Sequence, residues 1–107
     1  MSEPQFLYLT TTGHISGQPH TIEIWFVSVA GSFYLVSEHH ERSHWVRNII
    51  ANPAVRYAIG KRDGDWVEGV GRIVDPGQEP ALAATVQAAM DAKYGWSDGL
   101  IVELRPA

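Results

Sequence analysis

Apolar and polar positions alternate along most of this chain, and the alternation predicts six extended segments. FLYLTTT, Phe6 to Thr12, is dense in aromatic and β-branched residues. HTIEIWFVSV, His20 to Val29, sets Ile22, Ile24 and Phe26 on one face and Thr21, Glu23, Trp25 and Val27 on the other. Ala30-Gly31-Ser32 turns that segment back into FYLVS, a predicted hairpin. AVRYAIG, WVEGVGRIVD and GLIVELRP supply the other three. Gly69 and Gly71 fall on the same face of their strand, which points to a close backbone approach there.

Two stretches change period. HWVRNIIAN places Trp45, Val46, Ile49 and Ile50 on one helical stripe, with Ser43 as N-cap and Asn52-Pro53 as the stop. In PGQEPALAATVQAAMDAKYG, Leu82, Val86, Met90 and Tyr94 recur at four-residue spacing beside Ala89. Pro80 suits its first turn, Gly95 its C-cap, and Lys93 the negative end of its dipole. The expected order is β-β-β-α-β-β-α-β: mainly β with two helices, a six-stranded split barrel in one domain over residues 1–107.

Composition then removes whole classes of function. The chain has 107 residues and no cysteine, so disulfides, thiolate metal sites and cysteine nucleophiles are out. A formal charge of −4 argues against nucleic-acid binding. No apolar run approaches the ~18 residues of a membrane span, and MSEPQFLYLTTT carries no basic leader, so the expectation is a cytoplasmic protein without an integral membrane segment.

The stretch His40-Glu41-Arg42-Ser43-His44 spells H-E-x-x-H, the spacing of zinc proteases. That reading needs both histidines one turn apart on a formed helix. If Ser43 caps the helix, His40 lies outside it and the pairing loses its geometry. No metal site is expected; a zinc hydrolase is a remote alternative.

LTTTGHISGQPHTIEIWFV, LVSEHHERSHWVRNIIANPAV, EGVGRIVD, MDAKYGW and IVELRP, in this order, resemble the deazaflavin-dependent nitroreductase and quinone reductase family. That family consists of split β-barrels related to the FMN-binding, pyridoxamine-phosphate-oxidase-like group. The resemblance implies coenzyme F420, or alternatively FMN, in a groove between barrel and helix, commonly at a homodimer interface. It implies hydride transfer to a small oxidised acceptor such as a quinone or nitro compound. The family's T-T-G-R-R/K-S-G turn aligns with Thr11 to Gly17, and its two basic positions are His14 and Ile15 here. A third position, often basic, is His20. Fixed positive charge is therefore absent where an anion would sit, which also keeps a non-catalytic coenzyme-binding barrel as an alternative.

Expected coenzyme contacts follow. The turn of Gly13, His14, Ser16, Gly17, Gln18 and Pro19 would hold a phosphate through main-chain N–H groups, Ser16 and His14 assisting. Ser37, Glu38, His39 and His40 would line the ring edge, Trp25 and Trp45 would wall a flat slot, and Asn48 would add a polar contact. Glu23 and Arg47 are each either ligand contacts or solvated charges. No side chain is assigned to proton transfer; hydride chemistry asks little of side chains beyond orientation and a dry pocket.

Overall fold

The computed structural model describes residues 4–107. The reading of the N-terminus as leaderless rests partly on residues 1–3, which lie outside that range. The strands are β1 (Phe6–Thr12), β2 (Pro19–Trp25), β3 (Val27–Val29), β4 (Ser32–Ser37), β5 (Ala54–Ile59), β6 (Val67–Val74) and β7 (Leu100–Pro106). The helices are α1 (His44–Ala51), preceded by one 3-10 turn (His40–Arg42), and α2 (Pro80–Tyr94). All strands join one antiparallel sheet in the order β2-β1-β5-β6-β7-β4-β3.

The sheet has seven strands, not the expected six, and it is not closed. The extended run from His20 to Val29 is one stretch in sequence but changes partner at Phe26. Trp25 pairs with Phe6 of β1, whereas Val27 pairs with Tyr34 of β4. Phe26 and Val27 are both buried, one in the core inside the sheet and the other in the core beneath α2. Lying between ladders, Phe26 needs other partners for its backbone, because an unpaired buried peptide group is costly. The end of α2 supplies them. The Phe26 N–H donates to the Tyr94 hydroxyl (3.0 Å), and Lys93 Nζ donates to the Phe26 carbonyl (2.8 Å). Lys93 thus does more than meet a helix dipole.

The turn between β3 and β4 is as tight as expected, with Ala30 (φ 52°) and Gly31 (φ 86°) both in the left-handed region that two-residue hairpin loops demand. Alternation explains the inner core. Leu7 and Leu9 of β1, Leu35 of β4, Tyr57 of β5 and Val102 and Leu104 of β7 point inward, and α1 covers them with Val46 and Ile49. Ile50 departs from the expected stripe and is 59% exposed. Gly71 runs under α1, where a Cβ would come within 3.2 Å of Ile49; at Gly69 it would lie 2.6 Å from the Tyr57 ring and 2.8 Å from the Arg105 carbonyl. Both glycines allow the close approach their shared face suggested.

The second core lies under α2, where Ala83, Val86 and Met90 pack on Val27, Tyr34, Val36, Val74 and Ile101. Strands β4 and β7 are therefore covered on both faces, which accounts for the apolar runs Phe33–Val36 and Leu100–Val102. One charge enters this region. Glu103 of β7 accepts from Arg72 Nε of β6 (2.9 Å) and from the Tyr34 hydroxyl of β4 (2.7 Å). Arg72 also forks onto Glu79, the residue before α2 (2.7 and 3.0 Å), fastening the start of the helix to the sheet.

Candidate functional site

Between the edge strand β2 and the end of β4 that runs past the short edge strand β3 lies a cleft of about 620 Å3. Its apolar walls are Phe6, Trp25, Trp45 and Trp96, and its polar rim is Glu23, Ser37, Glu38, His39 and Ser43. A second cleft of about 520 Å3 lies between the Gly13–Gln18 turn, the first half of β2 and α1. Trp45 lines both. The two clefts therefore run along β2, an edge strand of the sheet, residues 23–25 in the first and 20–22 in the second.

The first cleft gathers most of the residues expected at a ring. Trp25 and Trp45 both wall it. Trp25 is 44% exposed and lies flat on Tyr94, ring centroids 4.3 Å apart and planes 3° from parallel. Ser37, Glu38 and His39 line it, but His40 lines neither cleft. His40 stands at φ 54°, a left-handed conformation for a non-glycine residue. The loop is pinned there because the Ser37 hydroxyl donates to the His40 carbonyl (2.9 Å) and lies 2.7 Å from the Ser43 hydroxyl. Ser43 occupies the N-cap position of α1, but its hydroxyl serves Ser37 and caps no helix amide. Gly99 packs against the Ser37 carbonyl with no room for a Cβ.

This geometry removes the basis of the zinc reading. His40 sits in the 3-10 turn and His44 opens α1, so the two do not share a helical face. Among the described residues, no group of three or more His, Cys, Asp or Glu is arranged to hold a metal ion.

The second cleft holds Gly13, His14 and Ser16 of the turn, together with His20, His44 and Asn48. Asn48 is buried, and both ends of its side-chain amide are engaged. Its Oδ1 accepts from the His14 N–H (2.9 Å) and lies 2.6 Å from His14 Nδ1, while its Nδ2 donates to Thr11 Oγ1 (2.9 Å). Its amide thus ties the turn to α1. A Cβ at Gly13 would lie 2.6 Å from Ser16 Oγ and 2.9 Å from His20 Nε2, so it would push those two side chains aside. Gly17, at φ 72°, closes the turn, and Gln18 and Pro19 lead into β2 without lining either cleft.

The expected phosphate cradle of main-chain N–H groups is largely spent inside the turn. Gly13 N bonds Gln18 O, Gly17 N bonds Gly13 O, His14 N bonds Asn48, and Gln18 N bonds Ser16 Oγ (3.2 Å). Arg47 is also engaged elsewhere, its Nε on the Glu41 carbonyl (3.1 Å). Among the described residues, no lysine or arginine lines either cleft. Glu23 accepts from the Tyr8 hydroxyl (3.0 Å), which raises the Tyr8 pKa through that hydrogen bond, and it also borders the first cleft.

Sequence reasoning left out Phe6, Trp96 and His44. Trp96 follows the αL glycine, Gly95 (φ 72°), that ends α2, and this reversal carries it back to the mouth of the barrel. The tryptophan directly after a C-cap glycine was the available signal.

Three solved structures share this architecture over nearly the whole chain. HutZ, the heme storage protein from Vibrio cholerae, superposes with a TM-score of 0.78 at 20% identity, over 98% of this chain and 83% of that one. An F420 reductase gives 0.64 at 22% identity, over 98% and 88%. A FAD-binding protein from Mesorhizobium loti gives 0.68 at 14% identity, over 96% and 81%. At these identities they share the fold. No curated protein matches the chain. Among the described residues no helix is long and apolar enough to cross a membrane. Residues 1–96 match the F420H(2)-dependent quinone reductase family, and the chain belongs to that family.

Proposed function

We propose that this protein is an oxidoreductase that moves a hydride between coenzyme F420 and a small quinone, working in the cytoplasm as a homodimer. The observation that carries this reading is the first cleft, a slot walled by Trp25, Trp45 and Trp96 and rimmed by Ser37, Glu38 and His39 at the open side of the barrel. Flat apolar walls with a few convergent polar groups suit a planar heterocycle. Bound there, the coenzyme supplies the carbon that gives or takes a hydride. The chain's own contribution is placement and dryness. Trp25, backed by Tyr94, and Trp45 offer faces for stacking and keep water from the ring. Ser37 and Ser43 hold the 38–42 loop against the rim. Asn48 fixes the turn that borders the other cleft. A nitro compound is the alternative acceptor, and FMN the alternative coenzyme. Support for a dimer comes from Trp25 and Ile15, 44% and 87% exposed beside the clefts, which a second copy would cover.

The test is titration of purified protein with oxidised F420 and, separately, with FMN, following tryptophan fluorescence, and then turnover of reduced F420 with a soluble quinone. Quenching by F420 together with quinone-dependent oxidation is expected. Quenching without turnover would leave a coenzyme-binding barrel that does no chemistry, and quenching by neither would end the coenzyme reading.

A further inference from the structure

The walls and the rim of the first cleft share one electrical sign. Three of the chain's four tryptophans, Trp25, Trp45 and Trp96, wall it together with Phe6. Trp25 gives one face to Tyr94 and is still 44% exposed. The face of an aromatic ring is the negative part of its quadrupole, so walls of this kind attract cations. Two carboxylates, Glu23 and Glu38, stand on the rim. Among the described residues no lysine or arginine lines the cleft, and Glu38 has no ion-pair partner.

The rim hydroxyls add acceptors rather than donors. Ser37 Oγ gives its hydrogen to the His40 carbonyl (2.9 Å). Ser43 Oγ, 2.7 Å from Ser37 Oγ, therefore supplies the hydrogen of that contact, since each hydroxyl has one. Ser43 is left with lone pairs for a ligand. Glu23 Oε2 accepts from the Tyr8 hydroxyl (3.0 Å), and Oε1 has no donor among the described residues. Cations on neighbouring elements are engaged elsewhere. Lys93 Nζ donates to the Pro4 and Phe26 carbonyls (2.6 and 2.8 Å), Arg62 lies over the Tyr8 ring, 5.8 Å from its centroid, and Arg47 Nε donates to the Glu41 carbonyl.

We propose that the first cleft selects cationic ligands: a flat oxidised acceptor carrying a fixed positive charge, such as a quaternary ammonium or an alkylated pyridinium, is taken in preference to one carrying a carboxylate or sulfonate. As a statement about the acceptor, this rests on the function proposed above. An acceptor must touch the coenzyme ring to exchange a hydride, so it enters the same cleft and meets the same rim. Its charge then acts twice. The aromatic walls attract a cation, and the two carboxylates repel an anion.

Phenyltrimethylammonium and benzenesulfonate share a ring and differ in the sign of a fixed charge. Each is titrated into the intact protein without coenzyme, at low ionic strength and about pH 8, where an ordinary glutamate is ionised and an ordinary histidine neutral. Binding is followed by NMR of the indole N–H resonances. Roughly tenfold tighter binding of the ammonium ion is expected. The shifts should fall on Trp25, Trp45 and Trp96 and spare Trp66, which lies outside the cleft with its Nε1 on the Arg62 carbonyl (2.9 Å). The preference should narrow with added salt and in Glu38→Gln. It should narrow further in Glu23→Gln/Glu38→Gln, where glutamine still accepts from Tyr8, provided circular dichroism shows native strand content. Equal affinity for the two ions, shifts at Trp66 alone, or an unaltered preference in the double variant overturns the proposal. In turnover with reduced F420, a quinone bearing a trimethylammonium group should show a lower KM than the same quinone bearing a sulfonate; equal KM values overturn the assignment to the acceptor. The coenzyme reading is judged apart from this. F420 quenching with no preference between the two ions sinks cation selection alone, and a preference with no F420 quenching sinks the coenzyme reading alone.

Discussion

Trp25 lies flat against Tyr94, 4.3 Å between ring centroids, so one wall of the first cleft is held from behind by the last residue of α2. The Tyr94 hydroxyl also accepts from the Phe26 N–H (3.0 Å) and donates to the Gln5 carbonyl (2.5 Å). A single side chain thus supports both the partner change at Phe26 and the indole that walls the first cleft. The two roles separate by substitution. Tyr94→Phe keeps the stack and leaves the Phe26 N–H without its acceptor, so a loss of about 1–2 kcal/mol in urea denaturation is expected with coenzyme affinity little changed. Tyr94→Ala removes the stack as well, and coenzyme affinity should drop with stability. Equal affinity in Tyr94→Ala and wild type would show that Trp25 needs no backing.

Asn48 makes a prediction of the opposite kind, about stability before ligand. It is 3% exposed and serves the His14 backbone, the His14 ring and Thr11 together. Asn48→Ala strands those partners, so a loss of about 2–3 kcal/mol is expected, from the desolvation cost of unsatisfied buried groups. The His14 backbone amide should also lose protection in hydrogen exchange. A change of a few tenths of a kcal/mol would mean that water replaces the amide at no cost.

Much of the fold was legible because burial imposes a period. The alternation in β1 and β2, the helical stripes in α1 (Ile50 excepted) and α2, the αL glycine at position 95 and the hairpin at Ala30-Gly31 follow from local rules that the structure keeps. The break at Phe26 was not legible, since alternation reports which face a residue occupies and says nothing about which strand it pairs with. Of the expected Ser37–His40 rim and tryptophan walls, Ser37, Glu38, His39, Trp25 and Trp45 line the first cleft and His40 does not. The occupation of Asn48 and of the His14 amide could not be read from the sequence, because both depend on α1 meeting the 13–18 turn across more than thirty residues of chain.

Gly69 shows how little room β6 leaves. An added Cβ would meet the Tyr57 ring at 2.6 Å and the Arg105 carbonyl of the neighbouring strand at 2.8 Å. The backbone carbonyl cannot rotate away as a side chain would. Gly69→Ala is expected to cost about 1–3 kcal/mol through overpacking, read as a lowered denaturation midpoint. The Tyr57 hydroxyl offers the reverse case. It is buried without a hydrogen-bond partner among the described residues, and burial raises its pKa. Tyr57→Phe should therefore be neutral or stabilising by up to ~1 kcal/mol, because it removes a polar group that gains nothing in the core. A clear loss of stability would point to an unseen partner for that hydroxyl.

The Arg72 network ties stability to pH with a sign that can be worked out. Burial acts to raise the Glu103 carboxyl, but hydrogen bonds from Arg72 and Tyr34 outweigh it and hold Glu103 below the usual carboxylate range. The same contact, after burial, helps push the Tyr34 phenol up to about 12. A lowered folded pKa means that the Glu103 contribution is complete above the ordinary glutamate value of about 4.3 and is lost as pH falls through the lower folded value. Wild type should therefore lose stability only in strong acid. Arg72→Met removes the cation and leaves Glu103 buried beside Tyr34, so burial now prevails and raises the carboxyl. The sign reverses: the variant is weakest near neutral pH and regains stability as Glu103 takes a proton on acidification. At neutral pH the expected deficit is ~2 kcal/mol, below the 3–5 kcal/mol of a fully buried pair because Arg72 is 39% exposed. Urea titrations of both proteins between about pH 4 and 7 should show the two curves converging toward acid; parallel curves would mean that Glu103 is not held ionised by Arg72.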